Sequence, residues 1–215
     1  MKKLNLILLI LAMVVVGCKL PDMLSGGAGG RGKAPSTGGS DPREDVIQAS
    51  KKFIALPAFS AKMDGFGQFE IKQQVDFVAP DRFHVTYLAG AAPGMELIMI
   101  GDQSYMKTGG KWSKMPGGQN GSAPNLRDSF TDEGLKTLSD VKFDGEDTVD
   151  GKAALVYTYK NVTPVGQYPF SSKMWVGAAS GVPIKIVVDY TNGVLKQMTV
   201  NYDTESPVTI EAPIK

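Results

Sequence analysis

Apolar and polar residues alternate along most of the chain from about position 58 onward. Phe59, Ala61 and Met63 alternate with Ser60 and Lys62. Phe69, Ile71, Val75 and Phe77 alternate with Glu70, Lys72, Gln74 and Asp76, and Phe83, Val85 and Tyr87 with Arg82, His84 and Thr86. A period of two predicts half-buried antiparallel strands. Ala79-Pro80-Asp81 predicts a turn between two of them. Met95 to Ile100 is apolar on both faces of a strand, and Gly101-Asp102-Gln103 turns the chain into Ser104–Lys107. The last third reads as a meander through Val141–Phe143, Ala154–Tyr159, Lys173–Val176, Ile184–Val188 and Leu195–Val200. Asn192-Gly193 between two alternating segments is the strongest short hairpin signal in the chain.

Two segments depart from this period. Asp41-Pro42-Arg43-Glu44 has a capping residue, a proline suited to the first helical position and a glutamate three residues after the cap. Val46, Ala49, Phe53 and Leu56 follow at helical spacing, with Ile47 and Ile54 beside them, and Leu56-Pro57 ends the helix. Asn125 to Ser139 carries Leu126, Phe130, Leu135 and Leu138 and predicts a second helix, weakened by Gly134. The sum is an α+β domain: about ten or eleven antiparallel strands in one large, curved sheet, with two or three helices over its concave face. A sheet of this many strands curls or splits.

The N-terminus is of another kind. Met1-Lys2-Lys3 is basic, Leu4 to Val16 is apolar apart from Asn5, and Val15-Val16-Gly17-Cys18 ends the run. Basic start, short apolar stretch and small-residue boundary read as a secretory signal peptide over 1–17. The run is too short for a membrane-spanning helix of ~20 residues. The tetrapeptide resembles a bacterial lipobox, with Cys18 as the site of lipid attachment. A single cysteine cannot form an internal disulfide, and acylation explains its presence. Residues 18–40 are rich in Gly, Ser, Ala and Pro and read as a flexible tether with a typical reach of about 25–30 Å, leaving 41–215 as one globular domain. A phosphate-binding loop is excluded for Gly26–Gly32, since no strand precedes it and no Gly-Lys-Ser/Thr follows.

Loss of Lys2 and Lys3 with the signal peptide leaves 21 basic against 22 acidic residues. Near-neutral charge without a basic cluster excludes a nucleic-acid binder. His84, the only histidine, is expected to be an exposed strand residue, and with one histidine neither a serine-protease-type triad nor a zinc site is expected. Asp144-Gly145-Glu146-Asp147 and Asp150 are expected to form the loop of a polar hairpin; their spacing does not match an EF-hand. Met95, Met99, Met106, Met115, Met174 and Met198 lie on or beside strands, and either fill a core or line an adaptable binding surface. No cofactor and no catalytic residue are expected.

Three stretches resemble the LolA/LolB and LppX/LprG superfamily of envelope lipid-handling proteins. They are the opening helix with Phe59–Met63; Val75–Phe83 with Leu97–Tyr105 and Lys111-Trp112; and Lys173–Val176 with Gly181-Val182-Pro183-Ile184-Lys185. The resemblance implies a half-barrel of antiparallel strands closed by helices over an apolar cavity. Its members carry lipids or lipoprotein acyl chains, or sense lipoprotein as RseB-like regulators do. It implies a non-enzymatic role, apolar contact with the ligand, for side chains that here are Phe69, Ile71, Val75, Phe77, Phe83 and Val85. Leu97, Met99, Trp112, Tyr157 and Trp175 complete the expected cavity lining. The glycine-rich loop Thr108–Asn125 is expected to gate it, and Leu88–Met95 is the nearest counterpart of the apolar loop of LolB. The expected partners are a membrane, held through lipid on Cys18, and a lipid or acylated protein as ligand, with the protein itself a monomer.

Overall fold

The computed structural model describes residues 41–90, 92–116, 126–162, 169–191 and 193–214. The expected signal peptide, the expected lipidation site Cys18 and the expected tether lie outside them. Helix α1 (Pro42–Ile54) starts as its sequence dictates: the Asp41 carboxylate accepts from the Glu44 amide at 3.1 Å, and Pro42 opens the first turn. Eleven strands follow in one sheet: β1 (Ala58–Gly67), β2 (Ile71–Val78), β3 (Arg82–Ala89), β4 (Glu96–Ile100), β5 (Gln103–Thr108), β6 (Lys111–Lys114), β7 (Ser139–Val149), β8 (Lys152–Val162), β9 (Pro169–Gly177), β10 (Pro183–Tyr190) and β11 (Leu195–Asp203).

The sheet is antiparallel and open, in the order β6-β5-β4-β3-β2-β1-β11-β10-β9-β8-β7. It is two meanders, β1–β6 and β7–β11, joined where the first strand pairs with the last. Across that seam Ala61 lies opposite Tyr202 and Met63 opposite Val200. The inner face carries Phe59, Ala61 and Met63 from β1, and Val75 and Phe77 from β2. Val85, Leu97, Met99, Tyr157, Met174, Ile186 and Val200 continue it through the other strands. Val46, Ala49 and Phe53 of α1 cover this face.

Phe53 is the centre of the packing. Its ring lies 4.8 Å from Phe59, 4.7 Å from Phe130 and 4.8 Å from Tyr202, joining α1, β1, β11 and the segment before β7. The Tyr157 hydroxyl donates to Asp45 at 3.0 Å and holds the start of α1 to β8.

The outer face has two smaller apolar clusters. Ala154, Val156, Trp175 and Ile184 form one. Ile98, Tyr105 and Ile210 form the other, flanked by Trp112 and Val208. The second brings the tail after β11 back over β4 and β5, where Arg82 Nη1 donates to the Ile210 carbonyl at 3.0 Å.

Three elements differ from the sequence reading. The second helix is a 3-10 turn (Asp128–Phe130) followed by α2 (Asp132–Lys136), because Thr131 adopts an extended backbone and caps α2 through the Gly134 amide. Gly134 is required there: a Cβ would stand 2.3 Å from the Asp128 carbonyl. The acidic run Asp144–Asp147 lies on the β7 arm of the β7–β8 hairpin, with Asp150 alone at its turn, and not in a loop. Phe69 sits in the turn between β1 and β2 and is 50% exposed, because β2 begins only at Ile71.

Replacing Phe53 with alanine should remove about 3–5 kcal/mol of stability, as for other buried phenylalanines. Phe66→Ala, at a 54% exposed site, should stay within about 0.5 kcal/mol. Denaturant melts of both variants check the contrast, and similar losses would contradict the packing described.

Candidate functional site

The inner face is not packed throughout. Near α1 the rings of Phe53, Phe59, Phe77 and Phe83 form a continuous chain with centroid separations of 4.8, 5.2 and 5.0 Å. Further along the same strands a cavity of about 330 Å³ remains. Met63 and Gln73 line it from β1 and β2, and Met198, Val200 and Tyr202 from β11. Ile186, Val188 and Tyr190 come from β10, Phe170 and Ser172 from β9, and Tyr159 from β8. Leu126, Ser129 and Phe130 cover it.

The covering segment is held by Arg127. Its guanidinium lies 4.5 Å from the centre of the Phe77 ring and donates through Nη2 to the Ile54 carbonyl at the end of α1. Burial lowers its pKa. On the other side of Thr131, Asn161 Nδ2 donates to the Gly134 carbonyl at 3.0 Å and ties α2 to β8.

The cavity's polar groups are all uncharged. Burial pushes the Tyr159 phenol up to about 12. Burial, then the neighbouring Tyr159 and Tyr190, holds Tyr202 above the usual phenol range, and burial raises Tyr190. Ser172 Oγ faces Tyr159 and has no hydrogen-bond partner of normal geometry among the described residues. Gln73 Nε2 contacts the Met63 sulfur at 3.3 Å.

No protein-family model matches the chain, and no curated protein matches it. Solved structures do. LprF from Mycobacterium bovis is 14% identical, with 81% of this chain and 97% of that chain covered at a TM-score of 0.61. Lipoprotein LppX from Mycobacterium tuberculosis is 14% identical, with 79% and 98% covered at 0.57. The chain has an LppX-like half-barrel fold.

Within this LppX-like fold the residues expected to line a cavity divide into three groups. Val75, Phe77, Phe83, Val85, Leu97, Met99 and Tyr157 do face the helix-covered side, where they pack into solid core. Ile71 shares that face at the far end of β2, where it is half-buried. Trp112 and Trp175 point to the outer face, and Phe69 is in the exposed turn. None of the eleven lines the cavity. Of the expected gate, residues 117–125 lie outside the described residues, while Gly109-Gly110 forms the β5–β6 turn.

The outer face holds the charged groups. His84 is half-buried, not exposed, because carboxylates flank it: Nε2 is 2.9 Å from Glu96 Oε2 and Nδ1 is 3.8 Å from Asp76 Oδ2. Lys107 Nζ bonds Glu96 at 2.7 Å and, with His84, holds its carboxyl below the usual range. Trp175 is held by Asp147, which accepts its indole N–H at 2.8 Å, and by Lys173 and Lys185, with Nζ atoms 5.2 and 4.9 Å from the ring centre. Among the described residues no group of three or more His, Cys, Asp or Glu is arranged to hold a metal ion.

Tyr159 sets a pH dependence. A phenol raised from 10.0 to about 12 in the fold binds its proton more tightly folded than unfolded. Its contribution to stability is therefore complete below pH 10 and is lost as pH rises toward about 12. Urea melts at pH values on both sides of that window should show falling stability, with a shallower fall in Tyr159→Phe. An unchanged slope in the variant would contradict the assignment.

Proposed function

We propose that this chain is a membrane-anchored lipoprotein of a bacterial envelope, lipidated at Cys18, that takes lipid or lipoprotein acyl chain into the inner-face cavity for transport or transfer. The observation that carries the reading is the cavity itself. It lies on the helix-covered face of an LppX-like sheet, is lined largely by apolar side chains and holds no charge. Transfer would need no catalytic residue, only a difference in affinity between donor, carrier and acceptor. Lys19 after the cysteine, rather than an aspartate, favours the outer membrane in a cell that has one.

The arrangement of exposed apolar residues supports exchange with a membrane. Phe66 and Phe69 flank the β1–β2 turn, Val194 lies in the β10–β11 turn and Leu88 is near the end of β3. They are 54, 50, 49 and 55% exposed. These turns adjoin: the Gln68 amide donates to Val194 O at 2.8 Å, and Gly90 lies against the Glu70 carbonyl. The same end of the sheet carries Tyr190 and Met198, the half-buried part of the cavity wall. An apolar rim beside a cavity mouth suits contact with a bilayer.

Cavity size favours a second reading of the same fold, an envelope scaffold or RseB-like sensor whose cavity is filled by its own side chains. About 330 Å³ is at the low end of the ~300–1,000 Å³ of small-molecule sites, so one chain fits and several do not. The two readings part in one experiment. The mature chain from Cys18, carrying Cys18→Ser to remove the acyl anchor, is purified and extracted for lipid mass spectrometry. Stoichiometric lipid that disappears in Val188→Trp, where the indole would fill the cavity, is the expected result. A protein that returns no lipid, and takes up none from bacterial membrane extract, would establish the scaffold reading instead.

A further inference from the structure

Among the described residues fourteen line the cavity, and none of these is Asp, Glu, Lys, Arg or His. Eight are apolar; the other six are Gln73, Ser129, Ser172 and the tyrosines 159, 190 and 202. Resting on the acyl-chain reading above, we infer that the cavity selects a single acyl chain ending in an uncharged hydrogen-bonding group, an ester, amide or alcohol, and rejects the carboxylate of a free fatty acid.

A carboxylate taken into this site would lose its hydration and meet no cation. Arg127 is the nearest candidate in sequence to the lining residues, being next to Leu126. Its guanidinium lies against the Phe77 ring and donates through Nη2 to the Ile54 carbonyl; its Nε is buried without a hydrogen-bond partner among the described residues, and Arg127 is not among the lining residues. The tyrosines do not supply charge of either sign, since burial keeps all three protonated well above neutral pH. What the wall offers is neutral donors and acceptors. Ser172 Oγ, on a residue only 4% exposed, has no hydrogen-bond partner of normal geometry among the described residues and borders the cavity. A buried hydroxyl in that position is stabilised by a ligand atom able to bond with it. An ester or amide carbonyl accepts from it, and an alcohol either accepts or donates. A head group drawn in with its chain meets Ser172 and the tyrosines, which line the same volume.

Two sources carry this chemistry, an acylglycerol and the acyl group of a lipoprotein. Equilibrium binding to the mature Cys18→Ser chain is measured with 1-monopalmitoylglycerol, with a neutral N-palmitoyl peptide amide, and with palmitate at about pH 8. At least one neutral ligand should bind about tenfold or more tightly than palmitate, and which of the two does so identifies the source. Ser172→Ala should weaken that neutral ligand about three- to tenfold, as for loss of one hydrogen bond, and leave hexadecane binding unchanged. A purely structural role for Ser172 would weaken both alike and overturn the head-group contact. Palmitate binding as tightly as either neutral ligand would overturn the selectivity while leaving the acyl-chain reading intact. Binding of none of these probes would remove both.

Discussion

The pairing of β1 with β11 is the constraint on which the rest depends. The sheet stays open at β6 and β7, and without the seam β1 and β11 would be two further exposed edge strands. The seam joins strands more than a hundred residues apart, from Ser60 opposite Asp203 to Gly67 opposite Leu195. Ordering so long a loop is costly, and the cost must be offset by what the seam brings together. Phe53 supplies much of that: its ring meets Phe59 on one side of the seam and Tyr202 on the other. The helix therefore acts as a clasp across the join, and the same join fixes Met63 and Val200 opposite each other in the cavity wall.

Much of this frame was legible in the sequence, because alternation reports which residues share a face of a strand. Phe59, Ala61 and Met63 read correctly as one face, and Asp41 and Pro42 marked the helix start. Alternation does not report which of two faces a helix will cover. Trp112 and Trp175 looked suited to an apolar cavity by size alone, but their registers place them on the outer side, opposite Lys107 and Lys185 respectively. Nor does it report how far a cover extends. Val75, Phe77 and Tyr157 share the inner face with Gln73 and Tyr159, yet the first three are under α1 and its neighbours while the last two border open volume.

The missed wall residues were hidden for a related reason. Ser172 and Tyr159 lie opposite each other on β9 and β8, but in sequence Tyr159 read as an ordinary aromatic strand position and Ser172 fell just before the strand read at Lys173–Val176. The available signal was that Ser172 and Gln73 interrupt inward-facing sets otherwise made of large side chains. Small or amide side chains among Phe and Met leave a void that their neighbours cannot fill without strain. Leu126 and Phe130, read as one helical stripe, became a cover because Thr131 broke the helix and let the 3-10 turn lie across the sheet.

The two faces divide their chemistry sharply. Ion pairs and charged contacts gather on the outer side, where Asp76, His84, Glu96 and Lys107 form one connected row and Lys173, Lys185 and Asp147 enclose Trp175. Among the described residues the cavity lining carries no charge, and Arg127 and the Asp45 carboxylate bonded to Tyr157 lie beside α1. This segregation follows from solvation. Outer-face charges keep water and partners together, whereas a charge facing the cavity would require a fixed counter-ion in apolar surroundings. A sheet built in this way can hold an uncharged cavity beside a packed core, since α1 and the seam stabilise one end of the inner face and leave the other, toward Phe66 and Val194, free of that duty.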